Sequence, residues 1–253
     1  RMLKDAPITN PEMTAVFLDV DGTLLELADG PDEVEVAPGL PAGLATLRDR
    51  LGGALALISG RTLATLDGLF DTVELAAAGT HGLEVRGAGA GDATGGLPPI
   101  PDSVRSQLAQ LAATDDGFLL EDKDLCLAFH FRRRPDRETF VRKRFEALLQ
   151  ELGDRFELQH GKMVVELKPT GINKGTAIQT FMGGPPFAGR QPLFIGDDVT
   201  DEAGFTAVNR MDGLSIRVGP RDARTEAEYY LRNVPAVHAW IRSMSRPLTE
   251  KEN

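Results

Sequence analysis

The sequence predicts an α/β protein: a parallel sheet flanked by helices, interrupted by a second α/β unit built on an antiparallel sheet. Three observations carry this reading. Short apolar runs such as Ala15-Val16-Phe17-Leu18, Leu55-Ala56-Leu57-Ile58 and Leu193-Phe194-Ile195 alternate with stretches of helical spacing, the pattern of parallel strands joined by crossover helices. Between 97 and 169 the order becomes helix, strand, strand, helix, strand, strand, which suits helices layered on an antiparallel sheet. After Pro169 the strand–helix alternation resumes. The expected organisation is therefore a discontinuous core, 1–96 with 170–253, carrying an inserted domain over 97–169.

The elements follow in order. A first strand is expected over 14–25, ending in acidic and glycine residues, then a helix over 40–51, a strand over 54–58 and a helix over 62–70. Another short apolar run, 73–78, leads to a glycine-rich stretch, 87–91 and 95–96, read as an exposed loop. In the insert, helices are expected over 101–113 and 136–152, and strands over 117–121, 125–132, 155–159 and 162–168. The core then continues with a helix over 174–182, a strand at 193–195, a helix over 201–208, a strand over 214–218 and helices from 222 to 245. Residues 247–253 read as a frayed polar tail, and Arg1 is set aside from the fold.

Side chains alternate faces along a strand, so the insert's strands show which face is wet. Leu125, Leu127, Phe129 and Phe131 share one face of 125–132, with Met163, Val165 and Leu167 in 162–168 and Phe156 and Leu158 in 155–159. The other face carries His130, Arg132, Gln159, Lys162 and Glu166. Such a mixture of donors and acceptors suits a polyhydroxylated ligand.

Composition narrows the function. The formal net charge is −10, from 38 acidic and 28 basic residues, which argues against nucleic acid as a partner. No apolar run reaches the ~18 residues a membrane span needs. The N-terminus lacks the apolar stretch of a signal peptide, and one cysteine, Cys126, excludes an internal disulfide. A cytoplasmic monomer acting on a small molecule is the expectation.

The chemistry concentrates at strand ends, where ligands of open α/β sheets bind. Asp19 and Asp21, two residues apart and followed by Gly22 and Thr23, have no adjacent base; a pair of carboxylates of this kind calls for a divalent cation, and one can act as nucleophile. Asp19 is assigned the attack on phosphorus and Asp21 general acid–base work. A calcium loop is excluded: counting from Asp19, position 6 is Leu24 and position 12 is Gly30, where glycine and glutamate are required. Ser59, after the second strand, can donate to a phosphoryl oxygen and also cap the next helix. Lys174 opens a helix and can neutralise phosphoryl charge, with Lys168 ranked behind it. Asp197 is the expected Mg²⁺ ligand, with Asp198 and Asp201 completing an acidic cluster in which direct contact is left open and Asp201 is placed in support.

These four segments, in this order, resemble the four signature motifs of the haloacid dehalogenase (HAD) superfamily of phosphatases. Leu57-Ile58-Ser59-Gly60-Arg61, Gly79-Thr80-His81-Gly82-Leu83-Glu84, Phe129-His130-Phe131-Arg132, the run from Gln159 to Glu166, and Gly196-Asp197-Asp198-Val199-Thr200-Asp201-Glu202 resemble one branch, the trehalose-6-phosphate phosphatases, over about 14 to 240. Where that branch has tyrosine in its His-Tyr-Arg run, this chain has Phe131. The resemblance implies a Rossmann-like HAD core, an inserted C2B-type cap, Mg²⁺ held with help from the Asp21 backbone carbonyl, and hydrolysis of trehalose 6-phosphate through an aspartyl phosphate. It also implies that Lys162 and Glu166 read the sugar, with contributions from Arg61, His81, Glu84, His130 and Arg132; a sugar bound to the insert's polar face is then expected to draw the cap over the core. Phosphatases of sucrose 6-phosphate or mannosyl-3-phosphoglycerate, a mutase and a non-catalytic sugar-phosphate sensor are the alternatives. The sensor reading fits poorly with Asp19, Asp21, Lys174 and Asp197 all being present.

Overall fold

A computed structural model of the protein describes residues 2–27, 34–70, 75–87, 97–161 and 163–246. The glycine-rich segment expected as a loop falls outside the described residues from 88 to 96, as do Lys162 and the 247–253 tail. In chain order the elements are β1 (Lys4–Asp5), β2 (Thr14–Leu18), α1 (Leu40–Arg50), β3 (Leu55–Ile58), α2 (Leu63–Phe70), β4 (Ala76–Gly79), β5 (Glu84–Arg86), α3 (Asp102–Ala112), β6 (Leu119–Asp122), β7 (Leu127–His130), α4 (Glu138–Leu152), β8 (Phe156–Gly161), β9 (Val164–Pro169), α5 (Lys174–Met182), β10 (Gln191–Gly196), α6 (Glu202–Arg210), β11 (Leu214–Val218), β12 (Tyr229–Leu231) and α7 (Val234–Ser245). They gather into two compact units, residues 1–93 with 173–253, and residues 94–172.

The first unit is built on an eight-stranded sheet in the order β1-β12-β11-β10-β2-β3-β4-β5, parallel except where β5 turns back antiparallel on β4. Central strands covered on both faces are apolar throughout, and all five residues of β2 are buried. Phe17 of β2 lies against Phe187 at 5.4 Å between ring centroids and Phe181 of α5 at 5.9 Å, tying that helix to the sheet. Register levels the site: Ile195 pairs with Leu18, and Leu18 with Leu57, so β10, β2 and β3 end together at one edge. Asp197, Asp19 and Ser59 follow directly from those three ends.

Two expectations change. The first strand stops at Leu18 rather than running to 25: Leu24 and Leu25 donate their N–H groups back to the Val20 carbonyl, and Gly22 adopts φ +80°, so 19–25 is a turn. Helix does not begin near 222. Tyr229–Leu231 adds a strand beside β11, and α7 starts only at Val234, where the Asn233 side chain accepts from the Ala236 N–H and a proline follows at the second helical position.

The second unit is an antiparallel sheet in the order β6-β7-β9-β8 with α3 and α4 packed on its apolar face. Phe129 of β7 meets Phe118 at 5.2 Å and Phe145 of α4 at 5.7 Å, the latter edge-on, as expected of the alternation in the sequence.

Candidate active site

Asp19, just past the end of β2, is buried, and its Oδ1 accepts from Lys174 Nζ at 2.7 Å. The same ammonium donates to Asp201 Oδ1 at 2.6 Å, while the Thr23 hydroxyl reaches Asp19 Oδ2 at 3.2 Å. Lys174 can be delivered here because it is the first residue of α5: the Asn173 side chain accepts from the Gly175 and Thr176 N–H groups, and the Thr176 hydroxyl accepts from the Asn173 N–H. Asp201 is anchored as firmly, its Oδ2 accepting the backbone N–H groups of Asp197 and Asp198 at 2.8 and 2.9 Å. Carboxylate oxygens of Asp19, Asp197 and Asp201 all lie within 4.8 Å of one another. Asp198, exposed on the same turn, lies outside that triplet.

Three carboxylates share one ammonium, and the electrostatics follow from that mismatch. Burial, then the Asp201 charge, raises the Asp19 carboxyl well above the usual range, against the pull of Lys174. Burial and Asp201 likewise push Asp197 up to about 7. Burial alone would lower Lys174, but Asp19 and Asp201 overcome it and hold the ammonium charged. Gly22 is required beside this cluster: a Cβ there would sit 2.2 Å from Asp197 Oδ2.

Asp21 faces elsewhere. Its two oxygens take a bidentate pair of bonds from Arg61 Nε and Nη2, each 2.8 Å. Ser59 is fully buried, and its hydroxyl accepts from the Arg61 N–H at 3.1 Å within the loop; it does not cap the next helix as expected, since α2 begins at Leu63 and the Thr62 hydroxyl accepts from the Thr65 N–H at 3.2 Å. His81, with φ +58°, and Thr80, with φ +47°, are buried residues in left-handed backbone, where strain collects at functional sites. The His81 ring lies against Gly60, whose added Cβ would come within 2.7 Å of it. Glu84 is occupied in holding this turn: one oxygen accepts from the Thr80 hydroxyl at 2.6 Å, the other from the Leu63 N–H at the start of α2.

The second unit carries its own polar group of residues. Register places Glu121, Ala128, Glu166 and Gln159 in one row across the four strands. Gln159 Nε2 donates to Glu166 at 3.1 Å, and His130 Nε2 and Glu121 meet at 3.0 Å. Lys123 donates to the other oxygen of Glu166 at 3.2 Å and lies 3.7 Å from Glu121, with its side chain only 8% exposed. Burial would discharge it, but Glu166 and Glu121 keep it above the ordinary lysine range. Sequence reasoning missed Lys123 and Glu121, since a Glu-Asp-Lys-Asp run reads as a solvated hairpin turn. Lys168, the rival to Lys174, is buried here instead, bonded to Glu157 at 2.6 Å and to the Ile172 carbonyl. Arg132 is exposed.

Comparison with known proteins shows the family. The model of the trehalose-phosphatase family matches residues 17–235. A probable trehalose-phosphate phosphatase of Sinorhizobium fredii (strain NBRC 101917 / NGR234) is 45% identical over 236 residues, spanning 91% of this chain and 86% of its own. The trehalose-6-phosphate phosphatase of Escherichia coli (strain K12) is 39% identical over 250 residues, 97% of this chain and 93% of its own. Among solved structures, the C-terminal domain of a C. albicans trehalose-6-phosphate phosphatase superposes with a TM-score of 0.79 at 22% identity, covering 92% of both chains. A Bacteroides thetaiotaomicron phosphatase of the haloalkanoate (HAD) superfamily gives 0.59 at 16% identity, over 93% of this chain and 95% of that one, and shares the fold. With the family model matched from residue 17 in β2 to residue 235 in α7, this chain belongs to the trehalose-phosphatase family.

Proposed function

We propose that the protein hydrolyses trehalose 6-phosphate to trehalose and phosphate through a phosphoryl group carried transiently on Asp19. The observation that supports this best is the buried carboxylate of Asp19, held between Lys174 and Thr23 at the mouth of a parallel sheet in a chain of this family. An Asp19 oxygen attacks phosphorus, forming an acyl phosphate as the bond to the sugar oxygen breaks; Asp21 gives that oxygen its proton. Water then attacks phosphorus, Asp21 takes the water's proton, and the bond to Asp19 breaks. Lys174 balances the charge that gathers on the phosphoryl oxygens, and the Ser59 hydroxyl, buried just after β3, donates to one of them. Asp21 must give up part of its bidentate hold on Arg61 to do this work.

The donor set fits Mg²⁺. Three carboxylates facing one ammonium leave negative charge uncompensated, all-oxygen donors suit a hard dication, and Asp19 and Asp197 would hold it with Asp201 in support. Bound there, it would supply charge neutralisation on the phosphoryl oxygens.

In this reading the insert is the cap, and Glu166 and Lys123, with His130, Gln159 and Lys162, read the sugar hydroxyls. The single buried thiol, Cys126, suits a reducing compartment, in keeping with a cytoplasmic enzyme. The test is Mg²⁺-dependent phosphate release from trehalose 6-phosphate, set against sucrose 6-phosphate and mannosyl-3-phosphoglycerate. Release from the first, abolished in Asp19→Asn, is expected. Equal turnover of all three, or full activity in the variant, would overturn the reading.

A further inference from the structure

The turn that carries Asp21 is gripped from outside by a residue 214 positions away in sequence. Within 19–25 the chain satisfies itself: the N–H groups of Leu24 and Leu25 go to the Val20 carbonyl, and the Gly22 N–H goes to the Leu25 carbonyl at 2.7 Å. The Leu24 carbonyl points out of this pattern. It accepts from Nε2 of His238, on α7, at 2.8 Å. A carbonyl oxygen can only accept, so the imidazole must carry its proton on Nε2.

The grip is rigid at both ends. Leu24 has no exposed surface while His238 is in place, so loss of the imidazole costs its carbonyl a buried partner. The α7 helix is fixed by the Asn233 cap, by Trp240 Nε1 donating to the Pro7 carbonyl at 2.8 Å, and by packing on α1. On its other side the turn presses on the acidic cluster, with no room for a Cβ between Gly22 and Asp197. A shift at Leu24 is therefore passed to Asp21 and Gly22 rather than absorbed.

We infer that His238 is a positioning residue for the reaction: by holding the Leu24 carbonyl it fixes the 19–25 turn so that Asp21 can deliver its proton to the leaving sugar oxygen. This rests on the reading of Asp21 as the acid. That reading makes the effect depend on the leaving group, since an aryl oxide departs without a proton and a sugar alkoxide does not.

The experiment compares wild type, H238F, which keeps a ring without the donor, and H238Q, whose amide can donate to the same carbonyl; H238A replaces H238F should the latter not fold. Two readouts are taken: kcat and KM on trehalose 6-phosphate and on p-nitrophenyl phosphate, and amide hydrogen exchange of the 20–25 peptide. For H238F we expect a 10- to 50-fold fall in kcat on the sugar phosphate, KM within twofold, kcat/KM on the aryl phosphate within threefold, and faster exchange at 20–25. H238Q should return all of these to within threefold of wild type. Unchanged exchange in H238F, equal losses of kcat/KM on both substrates, or no rescue by a stably folded H238Q would each overturn the inference. Wild type inactive on trehalose 6-phosphate would instead overturn the proposed function, and the exchange measurement alone would then decide whether His238 holds the turn.

Discussion

Asp197→Asn should stabilise the metal-free protein at neutral pH, although it removes a residue the chemistry needs. Asp197 ionises among Asp19, Asp198 and Asp201 with one nearby ammonium, and burial and Asp201 push its carboxyl from an ordinary 3.8 up to about 7. The folded state thus binds this proton more tightly than the unfolded chain does. Stability from that source is fully present below about pH 4 and is lost as pH rises through about 7. Three pKa units at about 1.4 kcal/mol each set an upper figure on the order of 4 kcal/mol, and partial solvent access brings the working figure to about 2 kcal/mol. For a chain of this size that is about 4–8 °C in midpoint. The assay is thermal unfolding in EDTA from pH 4.5 to 8.5. The variant should melt at the wild-type temperature near pH 4.5 and above it by that margin at pH 8. Adding Mg²⁺ should narrow or reverse the gap, since ligand binding stabilises only the chain able to bind it. A variant less stable than wild type at pH 8 in EDTA, or a gap independent of pH, would refute the reasoning.

Gly22→Ala places a methyl 2.2 Å from Asp197 Oδ2 at φ +80°, and should weaken Mg²⁺ activation about 10- to 100-fold, read from the metal concentration at half-maximal rate. Glu166→Ala removes the carboxylate bonded to Lys123 and Gln159, and should lower kcat/KM on trehalose 6-phosphate about 10- to 100-fold relative to an aryl phosphate; an unchanged ratio would deny it a part in reading sugar. Phe17→Ala opens the aromatic contact between β2 and α5 and should cost about 3–5 kcal/mol, seen as a midpoint lower by about 6–20 °C.

Much of this fold was legible because its signals are local. Ala15–Leu18 and Leu193–Ile195 are apolar at every position, as strands covered on both faces must be, and the helical spacing that opens at Lys174 marked α5 at its residue bounds. What stayed hidden depended on partners distant in sequence. Tyr229–Leu231 is three residues long and becomes a strand only because β11 offers an open edge. The 19–25 turn was read as strand because its closing bonds to Val20 follow no hydrophobic period.

The candidate site divides in the same way. Asp19, Lys174, Asp197 and Asp201 converge as their placement at strand and helix ends suggested. That Asp21 is held by Arg61, 40 residues on, and that Lys123 is buried between Glu166 and Glu121, follows only from tertiary packing. Glu84, read by resemblance as a sugar contact, has both oxygens bonded within the core, which draws attention to its part in holding the Thr80–His81 turn.

The most direct test asks whether phosphate is ever joined to Asp19. Protein turning over trehalose 6-phosphate with Mg²⁺ is quenched in acid, reduced with borohydride and digested, since an acyl phosphate on aspartate is reduced to homoserine where a free carboxylate is not. The account predicts homoserine at position 19, absent without substrate. Turnover with an unmodified Asp19, or with the label on another residue, would contradict it.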